Sequence, residues 1–166
     1  NAWPTPAEIL RAGEPYLRDV CRLGYRTESI LAFCRDVHQK RSDVEELAES
    51  AKSPDVPTED LLKRLLKIKG VGPTSAKYLL SLMGRHDRLA IDSSTVAFVA
   101  RVHTNGKKPT RRQIEDIYAP YGKWKQLVWW FEYWLTWLTA KGMLSEAGID
   151  PHHLRQTRPA LRATRK

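Results

Sequence analysis

A Gly-Val-Gly-Pro segment at residues 70–73 separates two apolar helical patterns, and it constrains the fold more than any other feature. Leucines at helical spacing predict a helix from Glu59 to about Ile68, capped by Thr58. Gly70 and Gly72 are expected to form a tight turn with backbone angles that side chains forbid, and Pro73 suits the first position of a second helix. The sequence therefore predicts a helix–hairpin–helix. The residues predicted on the apolar face of the first helix are Leu61, Leu62, Leu65 and Leu66.

The start of the second helix is a candidate phosphate-binding site. Backbone N–H groups at a helix N-terminus lack intrahelical partners, and the helix dipole favours negative charge there. Lysines on both sides of the hairpin add positive charge. The alternative is a helix–turn–helix interrupted by glycines that has only a packing role and binds no ligand. The residues that we expect at the phosphate are Lys69, Gly70, Gly72, Thr74, Ser75 and Lys77.

Asp92 is the candidate catalytic residue. It stands 22 positions after Gly70, between an apolar run at residues 89–91 and a Ser-Ser-Thr sequence. One interpretation is a helix cap, since aspartate is preferred at that position. The other is a carboxylate that acts on a nucleotide gripped by the hairpin. One aspartate can do both, because a helix start beside a phosphate backbone can hold a catalytic carboxylate.

Residues 65–76, the interval to Asp92 and the Leu-Gly-Tyr-Arg sequence at 23–26 together resemble the helix–hairpin–helix (HhH-GPD) DNA glycosylase superfamily. The pattern is most similar to 3-methyladenine DNA glycosylase II and endonuclease III-like proteins, over about residues 5–140. The resemblance implies that Asp92 is the essential catalytic residue. Members with lyase activity carry a lysine two residues after the second hairpin glycine, where this chain has Thr74. It therefore implies a monofunctional glycosylase, which hydrolyses the N-glycosidic bond of a damaged base in duplex DNA.

Two further matches favour an alkylated base as the substrate. Residues 74–78 resemble the pocket helix of the 3-methyladenine branch, with an aromatic residue at Tyr78. Residues 120–125 resemble that branch's Pro-Trp-Arg helix start, with Trp124 as the second pocket aromatic. Thr74 takes a pocket position that can hold tryptophan in that branch, so the base preference stays open. Ordinary core packing is the alternative role for both aromatic residues.

Two other functions stay open on the sequence. One is a glycosylase for mismatched adenine, or for deaminated or oxidised bases. The other is a non-catalytic helix–hairpin–helix module that binds DNA through phosphate contacts alone.

Charge supports a polyanionic partner. The net charge is +9 and the pI about 9.7, which favours nucleic acid. Five positive charges and no acid fall in residues 151–166, so about +4 belongs to the remainder. We expect a glycosylase domain over residues 1–150 and a flexible basic tail over 151–166. Double-stranded DNA is the expected partner, with a monomeric protein and no membrane association.

The cysteines argue against an iron–sulfur cluster and a zinc site. Cys21 and Cys34 are too few for an iron–sulfur cluster, and neither their spacing nor the five histidines fit a zinc pattern. We expect both thiols to be buried, and no cofactor to be required. The resemblance implies a monovalent cation in the hairpin. With no signal-peptide pattern, we expect an intracellular protein, in nucleoid or nucleus, that is not secreted.

The remaining patterns predict an all-α helical bundle. Helices are expected over residues 6–12, 14–22 and 25–39, with capping boxes at 42–45 and 110–113. Loops are expected over 53–57 and 105–109. The tryptophan-rich segment 124–138 predicts a helix buried on several sides, with Trp129, Trp130, Trp134 and Trp137 in the core. Since the resemblance begins midway through the family's domain, we expect the chain to lack the usual N-terminal helices of the family.

Overall fold

A computed structural model describes residues 3–146 of the chain. All regular structure in this range is helical, so the all-α class is confirmed. A π-helix at Tyr16–Val20 follows α1, and a 3-10 helix at Ala119–Trp124 precedes α8. The α-helices are α1 (Pro6–Pro15), α2 (Arg26–His38), α3 (Val44–Lys52), α4 (Thr58–Leu66), α5 (Pro73–Leu82), α6 (Ser93–His103), α7 (Arg111–Tyr118), α8 (Lys125–Ala140) and α9 (Met143–Glu146).

The helix starts follow local capping rules, with two corrections. The predicted capping box at Thr110 and Gln113 is confirmed for α7. The box predicted at residues 42–45 is wrong by one residue, because the Asp43 side chain caps α3 and accepts the Glu46 N–H at 2.7 Å. Thr58 is the first residue of α4 rather than its cap, and the preceding Pro57 provides the extended backbone.

A buried cluster joins α3, α4 and α5. Leu61 and Leu65 are buried as predicted, but Leu66 is 42% exposed, so the apolar face of α4 is narrower than expected. Arg85, just after α5, donates from Nε to the Ala51 carbonyl at 2.8 Å and also bonds the Ser53 carbonyl. This arginine satisfies carbonyls at the end of α3, where helices leave acceptors without partners.

Helix α2 approaches the hairpin closely at one glycine. Gly70 has φ +90°, and a Cβ added there would lie 2.5 Å from Ser29 Cβ on α2. Both the backbone angle and this approach require glycine. Lys69 beside it forms an ion pair with Glu28, also on α2. The hairpin is therefore held against α2 at the residues next to its turn.

The chain divides into two compact units, Asn1–Gln126 and Leu127–Lys166. The hairpin and Asp92 belong to the first. In the second, aromatic rings follow one another along α8, with Trp130–Trp134 centroids at 5.9 Å and Trp134–Trp137 centroids at 5.3 Å. Trp129 is buried as predicted, but Trp130, Trp134 and Trp137 are 44%, 39% and 41% exposed. Their predicted core role is wrong.

The structure bears on the predicted burial of the two cysteines. Cys34 is buried as predicted, whereas Cys21 is exposed, so its predicted burial is wrong. The basic tail predicted at 151–166 lies outside the described residues, and the domain predicted over 1–150 stays a prediction. Within residues 3–146, no helix is both long enough and apolar enough to span a bilayer.

Candidate functional site

One face of α5 holds the segment that leads to Asp92. The Thr74 hydroxyl lies 3.4 Å from the Ile91 carbonyl, and the Lys77 ammonium donates to the Leu89 carbonyl at 3.1 Å. The Tyr78 hydroxyl donates to Asp92 Oδ2 at 2.9 Å. Positions 74, 77 and 78 share a helix face, so three side chains meet one segment. The structure thus brings together four residues that the sequence predicts at the site.

The Asp92 carboxylate is bound on both oxygens. It caps α6, with Oδ1 accepting the Thr95 N–H at 2.8 Å, so the cap predicted from sequence is confirmed. The buried Thr95 hydroxyl lies 3.0 Å from Oδ1 and 3.2 Å from the Ala90 carbonyl. Since a hydroxyl carries one proton, these two acceptors share it. Oδ2 accepts the Tyr78 hydroxyl.

These contacts keep Asp92 ionised. Burial acts to raise the pKa of Asp92, because it disfavours the charged form. The Thr95 N–H, the Tyr78 and Thr95 hydroxyls and the Ser94 N–H together outweigh burial, so the pKa lies below its ordinary value. The half-buried site therefore presents a negative charge at neutral pH.

Gln126, at the start of α8, holds the same segment. Its buried Oε1 accepts the Ala90 N–H at 2.7 Å, and its own N–H donates to the His86 carbonyl at 3.0 Å. Leu89, Ala90 and Ile91 are buried. Gln126 is not among the residues predicted at the site, although a glutamine inside an apolar helix is a recognisable signal, because buried amides need partners. Thr95 is not among them either, although it follows Asp92 at the spacing of a capping contact.

Trp124 is half-exposed and lies beside His86. The two rings stack with centroids 6.0 Å apart at 29°, and the Lys123 ammonium lies 5.1 Å from the Trp124 ring centroid. His86 Nδ1 in turn lies 3.0 Å from the Ser81 hydroxyl on α5. Trp124 is thereby linked to the helix that carries Tyr78. A shared base pocket for Trp124, Tyr78 and Thr74 stays a prediction.

The two hairpin glycines differ in kind. Of the eight described glycines, seven have positive φ, and Gly72 is the exception, with φ −85° and ψ 173°. A Cβ added at Gly72 would meet nothing within 4 Å. The expectation that the turn needs both glycines is therefore wrong for Gly72, because its backbone suits any residue. Gly72 is the N-cap of α5. It has no side chain that could cap the N–H groups of Thr74 and Ser75 at the start of that helix.

The two predicted DNA-contacting lysines have partners within the protein. Lys69 is exposed and paired with Glu28, whose pKa this contact lowers. Lys77 is half-buried and directed to the Leu89 carbonyl. Burial is the main cause that lowers the pKa of Lys77. The cations Arg111, Lys125 and Arg88 act in the same direction, whereas Glu115 acts to raise it.

A cavity of about 750 Å³ opens on a different face of α5. It is lined by residues of α2, α3, α4 and the hairpin, and by Ser75, Leu79 and Leu82 of α5. Among the described residues, its lining includes Lys69 and Gly70 but neither Asp92 nor Tyr78. This cavity is therefore distinct from the carboxylate site. Over the described part of the chain, no group of three or more His, Cys, Asp or Glu side chains is placed to hold a metal ion.

Comparisons with known proteins bear on the fold. No protein-family model and no curated protein matches this chain. The solved structure of MBOgg1 in complex with a low-affinity DNA ligand matches with a TM-score of 0.62 and 21% sequence identity. The match covers 80% of this chain and 44% of the MBOgg1 chain, so this chain spans less than half the length of that protein. The likeness shows a shared fold, and a fold alone does not define an activity.

Proposed function

We propose that the chain is a monofunctional DNA N-glycosylase that acts on a damaged base in duplex DNA. One observation carries the proposal. The ionised Asp92 carboxylate, at the start of α6, is joined by the Tyr78 hydroxyl to the helix that begins at the Gly70–Gly72 hairpin. The proposed phosphate site and the negative charge are thus linked through α5 and one hydrogen bond. The DNA ligand of MBOgg1 agrees with DNA as the partner.

The hairpin supports a close approach to DNA. Neither the backbone angle nor packing within the protein explains a glycine at position 72. A glycine is useful where a ligand must come close to the backbone. The adjacent N–H groups at the start of α5 favour an anion such as a phosphate oxygen. Exposed ion pairs contribute little to stability, so Lys69 can exchange Glu28 for a phosphate.

Asp92 supplies the charge for hydrolysis. Cleavage of an N-glycosidic bond develops positive charge on the sugar, and a fixed carboxylate stabilises such a transition state. Thr74 stands where a lyase would need an amine, and the Lys77 ammonium is directed to the Leu89 carbonyl. Hydrolysis by water, without a covalent enzyme intermediate, is therefore the proposed reaction. The product is an abasic site with the strand intact.

The aromatic residues favour an alkylated, cationic base. The Trp124 ring already has the Lys123 ammonium 5.1 Å from its centroid, which is cation–π distance. Because Lys123 is exposed, a flipped cationic base can replace it on the ring. Such a contact is worth about 1–2 kcal/mol. Tyr78 and Thr74 complete the proposed pocket on α5, next to Asp92.

No cofactor is needed for this reaction, but the hairpin suits a monovalent cation. The ligands of this cation would be backbone carbonyl oxygens. The Ile68 carbonyl accepts the Val71 N–H at 3.0 Å and keeps a second lone pair. We include such a cation in the proposal as an aid to phosphate binding, together with a monomeric, intracellular protein.

Base release from defined oligonucleotides tests the function. Duplexes that each carry one alkylated, deaminated, oxidised or adenine-mismatched base are incubated with the protein, with and without later alkali. We expect strand breaks only after alkali, from an alkylated base, and at least a hundredfold loss of turnover in Asp92→Asn. Asp116→Asn, on the exposed face of α7, is the matched control and should behave as wild type. Near-normal turnover in Asp92→Asn would refute the assignment.

A second candidate is a DNA-binding module without catalysis. It is favoured by one observation, that both Asp92 oxygens already have partners, which suffices for a purely structural cap. This candidate predicts salt-sensitive binding and no base release from any duplex. It also predicts that Asp92→Asn leaves DNA affinity unchanged and lowers only stability. The substrate panel separates the two candidates.

A further inference from the structure

We propose that Tyr78 is a positioning residue for Asp92, whose carboxylate it holds in one orientation through a hydrogen bond to Oδ2. This inference rests on the proposed function, since it names the side chain that prepares the carboxylate for base release. It assigns the tyrosine hydroxyl a task separate from any contact between the ring and a flipped base.

The geometry of the carboxylate requires a second anchor. Oδ1 is fixed by the N–H of Thr95, three residues along the same chain segment. The terminal torsion of an aspartate side chain is broad, so one anchored oxygen leaves the other free to swing. The Tyr78 hydroxyl, at 2.9 Å, comes from a different helix and fixes Oδ2. With both oxygens held, the plane of the carboxylate is defined.

Tyr78 is itself fixed by its neighbours on α5. Thr74 and Lys77 reach the carbonyls of Ile91 and Leu89, on the segment that ends at Asp92. Gln126 holds the same segment at the Ala90 N–H. Helix α5 and this segment therefore move together, and the phenol stays at hydrogen-bond distance from Oδ2. Positioning of this kind depends on a supporting shell of locked side chains.

The groups that act on the Asp92 carboxyl are neutral donors from two elements. Tyr78 acts from α5, and Thr95 and Ser94 act from α6. Lys77, the charged residue next to Tyr78, is directed to the Leu89 carbonyl. A phenol that donates to a carboxylate favours its ionised form, so loss of the hydroxyl should raise the pKa of Asp92.

Tyr78→Phe tests the inference, because it removes the hydroxyl and keeps the ring. We expect kcat for base release to fall about 10- to 100-fold, the range for a hydrogen bond to a charged group. KM and the Kd for duplex DNA should stay within about twofold, and the acidic limb of the rate–pH profile should move to higher pH. Tyr16→Phe, at an exposed residue of the π-helix, is the matched control and should match wild type. If Tyr78→Phe keeps the wild-type kcat and pH profile, the inference is overturned, and a ring-stacking role remains.

A second measurement does not depend on activity. In the full chain labelled with ¹³C at the aspartate carboxyls, the Asp92 signal is assigned by its loss in Asp92→Asn and titrated in wild type and Tyr78→Phe. A higher pKa of Asp92 in Tyr78→Phe, with helical circular dichroism retained, supports the inference. An unchanged pKa overturns it. If wild type releases no base from any duplex, the proposed function fails, and this titration still decides whether Tyr78 holds Asp92.

Discussion

Replacing the two hairpin glycines by alanine, one at a time, should show which glycine is required for stability and which for DNA binding. At Gly70, φ is +90° and a new Cβ would lie 2.5 Å from Ser29 Cβ. The positive φ costs about 1–2 kcal/mol for alanine. The clash costs about 1–3 kcal/mol, because Ser29 Cβ is fixed to α2 and cannot rotate away. We expect Gly70→Ala to lose about 2–5 kcal/mol of unfolding free energy.

Gly72→Ala should have the opposite pattern. Its φ of −85° suits alanine, and a Cβ there meets nothing within 4 Å. Alanine is a poorer helix N-cap than glycine, which lowers the unfolding free energy. Alanine also reduces the conformational entropy of the unfolded chain, which raises the unfolding free energy by a comparable amount. We expect the unfolding free energy to change by less than about 0.5 kcal/mol. If the hairpin grips a phosphate, the methyl group should weaken DNA binding about 5- to 30-fold, through the loss of one or two hydrogen bonds.

Urea unfolding and fluorescence anisotropy with a labelled duplex, at one fixed salt concentration, measure the two quantities. The two variants control for each other, since they place the same methyl group two residues apart. Unchanged DNA affinity in a stable Gly72→Ala protein would refute the argument that the open space at Gly72 serves the ligand. Unchanged stability in Gly70→Ala would refute the account of the hairpin's contact with α2.

Two further predictions concern ionisation and the hairpin cation. Because the pKa of Asp92 is lowered in the folded chain, its charge stabilises the fold above the ordinary aspartate pKa, and this contribution is lost as pH falls through the folded pKa. The gap in urea midpoint between wild type and Asp92→Asn should narrow at acidic pH, whereas a constant gap would contradict the ionised cap. Replacing potassium by tetramethylammonium at constant ionic strength should weaken duplex binding, and equal affinity in both salts would remove the cation from the proposal.

The sequence predicts well the features that depend on contacts between residues a few positions apart. Pro73 begins α5 and Asp92 caps α6, because both depend on backbone groups at most three positions away. The same rule explains the error at α3, where Ser42 and Asp43 are adjacent candidates and the carboxylate takes the cap. Local capping chemistry identifies that a helix begins, and it locates the first residue to within one or two positions.

Contacts between distant residues are the part that sequence does not supply. Gln126 reaches Ala90 across 36 positions, and Tyr78 reaches Asp92 across 14. The first contact depends on how the start of α8 packs on the buried segment, and the second on how α5 packs on it. No periodicity specifies either. The exposure of Trp130 and Trp134 has the same origin. An apolar helix predicts that burial is favourable, but only the tertiary packing determines which faces are covered.

The hydrogen bonds at Asp92 indicate which kind of catalysis the carboxylate can provide. An efficient general base has a pKa near the working pH, so a carboxyl group whose pKa is lowered is poorly suited to take a proton from water. Stabilisation of a positive sugar has no such requirement, since it depends on a negative charge that is already fixed when the bond breaks. Tyr78 and Thr95 lower the basicity of Asp92 and restrain its motion through the same contacts. On the proposed function, Asp92 therefore acts mainly as a preorganised charge, and the rate of base release should stay level from neutral pH to below the ordinary pKa of aspartate.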